Sequence, residues 1–416
     1  MKLELDRQNF IKAWQIAEKF APAGAAKTTQ SSINGILVKA SENNEITLEA
    51  TDLKTSVRCK AEGANVLEPG FAVIPAAIFG SMLKKSASED LVLDVNSSRG
   101  FLNAGSNKTR FAVVPADEFP RIPESSGAEE IFTIKGEDLM RLINEGTSAA
   151  SQPSDFPKYM GACLLKISEN SVKGVSTDGK RLSLSNVVFE NMSKEADLLL
   201  PAPALKELAK MIASNYSDKV IKILADDSTV WFNFEDVELS IRRIDAAFPQ
   251  YERILNSETC TTLKISASDL MPVLERIDII ARTTPAHIMA MELKPEGQLK
   301  ITARAPEMGT ASEVLEAQIE GNYLQVGYNV GYFIDGLKAL GGGDAKIEFS
   351  SDEGQTRMYR NENNDFLYML MPARLSAQDK ISDDEENEEI YNEPVEAPQN
   401  SEEPQQQEQQ EQNENY

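Results

Sequence analysis

The chain carries one histidine and three cysteines in 416 residues. A single imidazole, His287, leaves acid–base catalysis and metal ligation poorly supplied, and the residue is expected in a loop or at the surface. Cys59, Cys163 and Cys260 are odd in number, far apart and free of any C-x-x-C spacing. They fit buried thiols in a reducing cytoplasm better than disulfides or a metal cluster. No stretch approaches the roughly 18 apolar residues of a membrane-crossing helix, and residues 1–10 hold no hydrophobic leader. These absences point to a cytoplasmic chain with no membrane association, metal or cofactor.

Acid is what the chain has in excess. The net charge is −24, and residues 376–416 hold about 14 acids against one lysine, leaving about −11 on the body. An acidic sum argues against nucleic acid, but the argument weakens if the body's basic residues gather on one surface. After Leu375 the composition changes completely. Few apolar groups among dense Glu, Gln and Pro cannot offset the entropy of ordering, so 376–416 is expected to be a disordered tail.

The body falls into three similar blocks, within the about two to four domains that its length allows. Residues 7–20 have the spacing of an amphipathic helix, with Phe10, Trp14 and Ala17 on one face and Lys12 and Lys19 on another. Strand-like runs come next, then Phe71-Ala-Val-Ile-Pro75 leading into a second helix expected to bury Ile78, Phe79, Met82 and Leu83 beside Lys84 and Lys85. The second block opens with a helix over 131–146, burying Leu139, Leu142 and Ile143 with Arg141 outward. Its second helix buries Leu205, Leu208 and Met211 and projects Lys206 and Lys210. The third places a helix over 268–280 with Arg276 outward, strands at 300–304 and 311–319, a helix over 329–340 exposing Lys338, and a last strand over 366–375. Pro75 and Pro201 are 126 residues apart, as are Asp52 and Asp178. That period is far longer than a solenoid repeat and marks duplicated domains, bounded at 1–125, 129–255 and 260–375. Each is α+β, with two helices on antiparallel sheet.

One stretch bears on whether the protein is an enzyme. In Gly174-Val-Ser-Thr-Asp-Gly-Lys-Arg-Leu182, the glycines and Lys180 match most of a phosphate-binding loop. Arg181 replaces the hydroxyl residue that would hold Mg²⁺, Asp178 would repel a phosphate, and the next residues alternate like a strand rather than opening a helix. The alternative is a turn between strands, with Gly179 supplying positive φ. The earlier Ala50-Thr-Asp-Leu-Lys54 favours the turn, because a phrase that recurs once per block marks a repeat.

These phrases, with Phe248-Pro-Gln-Tyr-Glu-Arg-Ile254 and Met371-Pro-Ala-Arg-Leu375, resemble the bacterial sliding clamp, the β subunit of DNA polymerase III, over residues 1–375. The resemblance implies three processivity-fold domains forming half of a closed ring, completed by a second copy as a head-to-tail homodimer. The ring would encircle double-stranded DNA without reading sequence, and would tether the polymerase III α subunit and other clamp-motif proteins without catalysis of its own. An external clamp loader would open it.

The resemblance also places sites. A partner-peptide cleft falls on Met160, Thr177, Gly179, Lys180, Arg181, Leu182, Pro249, Arg253 and Ile254. From the third domain it takes Asn329, Tyr332, Met369, Met371, Pro372, Ala373, Arg374 and Leu375. Lys180 and Ala373 depart from the commonest family pattern of His and Met, which bears on partner preference. The subunit interface falls on Arg110 and Phe111 against Ile279 and Ile280. Lys27 matches a basic DNA-contact position in a loop of the first block, Gln152 lies in a loop near another such position, and the helix cations Lys12, Lys19, Lys84, Lys85, Arg141, Lys206, Lys210, Arg276 and Lys338 would line the hole. Two rivals remain: a nucleotide hydrolase built on 174–181, and a clamp-shaped adaptor that does not encircle DNA.

Overall fold

The structure, a computed structural model, describes residues 1–22, 31–114, 116–152, 155–189, 194–360, 365–377 and 379–381. Lys27 and most of the acidic tail lie outside them.

Domain I runs β1 (Lys2–Asp6), α1 (Arg7–Phe20), β2 (Gly35–Ala40), β3 (Ile46–Thr51), β4 (Thr55–Lys60), β5 (Ala64–Glu68), β6 (Gly70–Pro75), α2 (Ala76–Lys85), β7 (Asp90–Val95), β8 (Arg99–Ala104) and β9 (Asn107–Ala112). Domain II repeats the order with one strand fewer: β10 (Glu129–Lys135), α3 (Gly136–Gly146), β11 (Ala162–Ser168), β12 (Ser171–Thr177), β13 (Arg181–Val188), β14 (Ala196–Pro201), α4 (Ala202–Asn215), β15 (Val220–Ala225), β16 (Thr229–Asn233) and β17 (Val237–Arg242). Domain III comprises β18 (Thr261–Ser266), α5 (Ala267–Ala281), β19 (Ile288–Lys294), β20 (Gln298–Ala305), β21 (Gly309–Glu316), β22 (Gln318–Gly321), β23 (Leu324–Asn329), α6 (Val330–Leu340), β24 (Asp344–Phe349), β25 (Thr356–Arg360) and β26 (Phe366–Leu370).

Local chemistry explains the repeated strand-to-helix passages. Asp6 caps α1 by accepting from the Asn9 backbone N–H at 2.9 Å, and Phe10, Ala13, Trp14 and Ala17 form the buried stripe of that helix. Pro75 and Pro201 each end a strand and precede a helix, where their missing N–H is tolerated because first-turn donors have no intrahelical partner.

The strands form sheets that cross domain boundaries. One has the order β10-β15-β16-β17-β4-β3-β2-β6 and joins domain II to domain I. Another, β14-β11-β12-β13-β26-β25-β24-β18-β22, joins II to III. Two sheets stay within one domain: β5-β1-β7-β8-β9 in I and β21-β20-β19-β23 in III. The helices pair as α1 with α2, α3 with α4 and α5 with α6, and α3 touches α6 across the II–III boundary. One apolar core runs continuously through domains I and II, and domain III has its own.

Gly174 has a packing role. A Cβ there would lie 3.1 Å from the Leu142 carbonyl oxygen and 3.4 Å from the Gly146 Cα, because α3 rests on the backbone of β12. The pair Gly146 and Gly174 permits that approach.

Four expectations need correction. Residues 131–135 are strand, not helix: alternating Ile131, Phe132 and Ile134 pair β10 with β15, and the helix begins at Gly136. The run 311–319 is two strands, β21 and β22, which lie in different sheets. The last strand stops at Leu370, because Pro372 lacks the N–H to continue a ladder, and beyond it a lone bridge joins Ala373 to Gly327. Ile78 is 55% exposed and Met82 only half-buried, while Phe79 and Leu83 are buried. Successive helix residues lie about 100° apart, so Ile78 and Phe79 do not share a buried face.

Gly174→Val is expected to cost about 1–3 kcal/mol through overpacking against α3. Thermal unfolding followed by circular dichroism checks this, as a lower midpoint for the folded chain.

Candidate functional sites

The Thr-Asp turns have the same hydrogen bonds in both domains. Thr177 Oγ1 donates to the Arg181 carbonyl at 2.6 Å and accepts from the Gly179 N–H at 3.1 Å. Asp178 Oδ1 accepts from the N–H groups of Lys180 and Arg181 at 2.9 and 3.0 Å. In domain I, Thr51 and Asp52 make the matching bonds to Leu53, Lys54 and Thr55. Gly179 has φ 85° and its counterpart Leu53 has φ 73°. Asp178 therefore serves to close a hairpin between β12 and β13, and the phosphate-loop reading is set aside.

That hairpin brings the expected cleft residues to the II–III boundary. β13 pairs antiparallel with β26, setting Arg181 opposite Leu370 and Leu182 opposite Met369. The Met371 N–H donates to the Lys180 carbonyl at 2.8 Å. Leu182 and Met369 join Leu164, Leu199 and Tyr251 in a small apolar cluster, with Tyr159 and Phe248 packed against it. Met160 lies beside Gly179, 3.5 Å from where its Cβ would be. Thr177 is half-buried, and Gly179, Lys180, Pro249, Arg253 and Ile254 are exposed around the cluster. On domain III, Asn329 caps α6 by accepting from the Tyr332 N–H at 3.1 Å. Pro372, Ala373, Arg374 and Leu375 line a groove of about 780 Å³ with the edge of β23 and residues 350–353. Pro249 and Tyr251 line another, of about 620 Å³. Of the expected cleft residues, Pro372, Ala373, Arg374 and Leu375 line the first groove and Pro249 the second, so they do not share one cavity.

Arg181 holds this boundary together. Its guanidinium donates to Asp178 at 2.9 Å, to Asp335 of α6 at 2.6 Å and to the Tyr368 hydroxyl at 3.1 Å, and it stacks 4.2 Å from the Tyr332 ring centroid. Burial opposes the charge, but Tyr368, Asp335 and Asp178 outweigh it and hold the pKa above the usual arginine value. A second network crosses the same boundary. Glu145 of α3 pairs with Arg360 and accepts from Ser185 Oγ at 2.5 Å, while Asp365 bridges Arg360 at 2.8 Å and Arg141 at 2.6 Å.

The helix cations divide into free and committed groups. Lys12, Lys19, Lys85, Lys206 and Lys338 are exposed and make no ion pair among the described residues. Partial burial, more than its neighbours' charges, lowers the Lys206 pKa, against the pull of Asp335. Lys84 pairs with Glu18 at 2.9 Å and Lys210 with Glu207 at 2.7 Å, both at the surface. Arg276 is held bidentately by Glu313 at 2.6 and 2.5 Å, and Arg141 makes a single bond to Asp365. Gln152 is exposed in its loop.

The expected interface residues lie at the two open ends of the chain. Phe111 is buried on β9 against Phe79, with ring centroids 5.6 Å apart, and Arg110 beside it is exposed. Ile279 is 60% exposed on α5, and Ile280 is half-buried against the domain III core. β9 presents Lys108 and Arg110; β21 presents Glu316, with Glu313 of the same strand held by Arg276. Ile78 of α2, expected inside, is also exposed.

Among the described residues no reactive centre emerges from the titratable groups. Burial pushes the Cys163 thiol up to about 12 and raises Cys59 further, so both stay protonated. His287 sits in the loop after α5, hydrogen-bonded to Asp278. Among the described residues no cluster of His, Cys, Asp and Glu could hold a metal ion, and no helix is long and apolar enough to cross a membrane.

Three family models match the chain: the DNA polymerase III beta subunit N-terminal domain over residues 1–123, its central domain over 133–250 and its C-terminal domain over 252–374. The chain is 25% identical over 380 residues to the beta sliding clamp of Pseudomonas aeruginosa, covering 90% of this chain and 100% of that protein. It is 26% identical over 348 residues to the beta sliding clamp of Synechococcus elongatus, covering 82% and 91%. Among solved structures, the DNA polymerase III beta subunit of Thermotoga maritima aligns with a TM-score of 0.81 at 24% identity, and the sliding clamp of Bacillus subtilis with 0.83 at 20%. Each alignment covers 90% of this chain and 100% of the other.

Arg181→Met is expected to destabilise the folded chain by about 3 kcal/mol, because it leaves the Asp178 carboxylate without its cationic partner at Oδ2 and removes the bonds to Asp335 and Tyr368. The check is a lower unfolding midpoint that Arg374→Met, at an exposed position, does not reproduce.

Proposed function

The chain belongs to the DNA polymerase III beta-subunit family, the non-catalytic sliding clamps of DNA replication, and from that premise we propose that two copies close head to tail into a ring around duplex DNA. One observation carries the proposal: the same strand joint is made twice within the chain and left open once at each end. β17 pairs with β4, and β26 pairs with β13, both antiparallel. In the repeat order, β9 occupies the place of β17 and β26, and β21 that of β4 and β13. A third joint, β9 of one copy on β21 of the next, covers both open edges and meets positive with negative side chains. The repeat also sets α2 beside α5, just as α6 touches α3. Ile78 then faces Ile279, next to Phe111, Arg110 and Ile280. A heterologous joint of this kind forms a closed ring when the rotation fits.

The free helix lysines, Lys12, Lys19, Lys85, Lys206 and Lys338, offer phosphates a diffuse attraction that reads no base. Lys84 and Lys210 add to it from surface ion pairs, and the Gln152 amide offers a neutral hydrogen-bond donor from its loop; Arg141 and Arg276 act mainly as structural partners of carboxylates. Lys27 keeps its assignment from the sequence alone. Topology rather than affinity retains the ring, so it can slide. The cleft at the II–III boundary takes peptide segments of the polymerase III α subunit and other clamp-motif proteins, with apolar and Met surface for side chains. Opening falls to an external ATP-driven loader.

Retention on nicked circular DNA after loading tests this function. High salt screens phosphate contacts, so a ring stays on the circle and leaves when the DNA is cut linear. Loss from the circle under conditions that retain a control clamp would favour the adaptor. Replacing Lys12, Lys19 and Lys338 together by Ala should lower the salt dependence of binding to linear duplex, by up to about 0.9 in log–log slope per contact, and leave high-salt retention intact.

Ile78→Asp and Ile279→Asp should each give a folded monomer in sedimentation, since both side chains are exposed within one copy. A dimer unchanged by both would refute the third joint.

A further inference from the structure

The chain does not leave the body at Leu375. The Ala373 N–H donates to the Gly327 carbonyl at 2.8 Å. A Cβ on Gly327 would meet the Ala373 carbonyl oxygen at 2.6 Å and Leu375 Cδ2 at 2.7 Å, so this strap lies directly on the backbone of β23. Asp379 Oδ2 accepts from the Ser376 N–H and hydroxyl at 3.1 and 2.5 Å, closing a turn. Gln325 Nε2 then donates to the Ile381 carbonyl at 2.9 Å, and Ile381 is 9% exposed. Lys380 lines the same groove as Pro372 and Arg374. The acidic segment therefore starts from the domain III wall of the cleft.

The sequence beyond Ile381 complements that cleft. Residues 382–416 carry 13 carboxylate side chains and no Lys, Arg or His. Their first apolar pair is Ile390-Tyr391, nine residues beyond the last anchored one, a stretch that spans up to about 30 Å when extended. The cleft rim presents Met371 and Ile254, 45% and 49% exposed. Around them Lys180 and Arg253 are exposed without an ion pair among the described residues, and the Arg374 side chain is 91% exposed. Tethering keeps the segment at an effective concentration of about millimolar.

We infer that the acidic C-terminal segment docks in its own chain's cleft through Ile390 and Tyr391, and competes there with partner peptides. The inference rests on the reading of this cleft as the partner site. The segment acts as a built-in competitor: partners that bind strongly displace it, and weak ones are excluded.

The probe is a fluorescein-labelled peptide of residues 382–416, titrated by anisotropy into the full chain and into the chain ending at Ile381. The shortened chain should bind it at least about tenfold more tightly, because the full chain's own segment competes at high local concentration. The full chain carrying Ile390→Asp and Tyr391→Asp should bind the probe like the shortened one. Met371→Asp in the shortened chain should abolish binding. A probe with Ile390→Asp and Tyr391→Asp should bind more weakly despite its greater charge. Equal binding to full and shortened chains, equal or tighter binding of the more acidic probe, or no binding would overturn the inference. So would loss through Lys206→Glu and Lys210→Glu instead of Met371→Asp, which would put the segment at the helix face. Retention of the shortened chain on nicked circles separates the two readings: a retained chain that ignores the probe removes only the competitor.

Discussion

Antiparallel pairing of strand edges across domain boundaries is the interaction on which the architecture depends. β17 on β4 and β13 on β26 turn the half-sheets of neighbouring domains into continuous sheets. An unpaired edge exposes a row of backbone donors and acceptors, so each joint both links domains and removes a liability. Domain II uses both of its joining edges inside the chain. Domains I and III are left with one each, β9 and β21, of opposite charge. A ring satisfies both.

The side-chain chemistry divides along the same boundaries. Carboxylate–arginine networks concentrate at the internal joints: Arg58 on β4 pairs with Glu238 of β17 at 3.1 Å and with Glu49 at 2.9 Å, and Arg181, Glu145 and Arg360 cluster at the other. Desolvated pairs of this kind are costly to break and so favour one domain arrangement over others. Lys12, Lys19, Lys85, Lys206 and Lys338 stand exposed on the helices without an ion pair among the described residues, where a polyanion gains from diffuse attraction while no single contact holds it. Weak, delocalised charge suits a ring that moves along DNA, because retention is assigned to topology. About 13 of the 24 net negative charges lie in residues 376–416, beyond the three domains.

Much of this was legible in the sequence where a local rule had one solution. The apolar stripe of Phe10, Trp14 and Ala17, the prolines 75 and 201, and the Thr-Asp turns each carry their own structural instruction. The turn over Asp178 was distinguishable from a phosphate loop because alternation resumed at once after Arg181. Where two periods overlapped, the reading failed. Ile131 and Ile134 precede the stripe of α3 and extended it falsely, although both sit in a strand. Ile78 was assigned inward because apolar residues are expected to be buried, yet it stands on the outer side of α2 with 55% of its surface exposed. Pairings such as Arg181 with Tyr332 and Asp335, or Glu145 with Arg360, join residues far apart in sequence, and no local pattern announces them. The docking of Ile381 contradicts the expectation that disorder begins at residue 376, because one apolar residue next to an open sheet edge can be held in an otherwise acidic stretch.

Amide hydrogen exchange, read strand by strand on the full chain in solution, tests the shared joint most directly. If β9 of one copy completes the sheet begun by β21 of the next, residues 107–112 and 309–316 exchange as slowly as the internally joined β17 and β26. They should lose that protection together on dilution to monomer, while β17 and β26 keep theirs. Fast exchange in both strands at concentrations where the dimer is intact would contradict a joint of this kind, and the copies would then have to meet through some other surface.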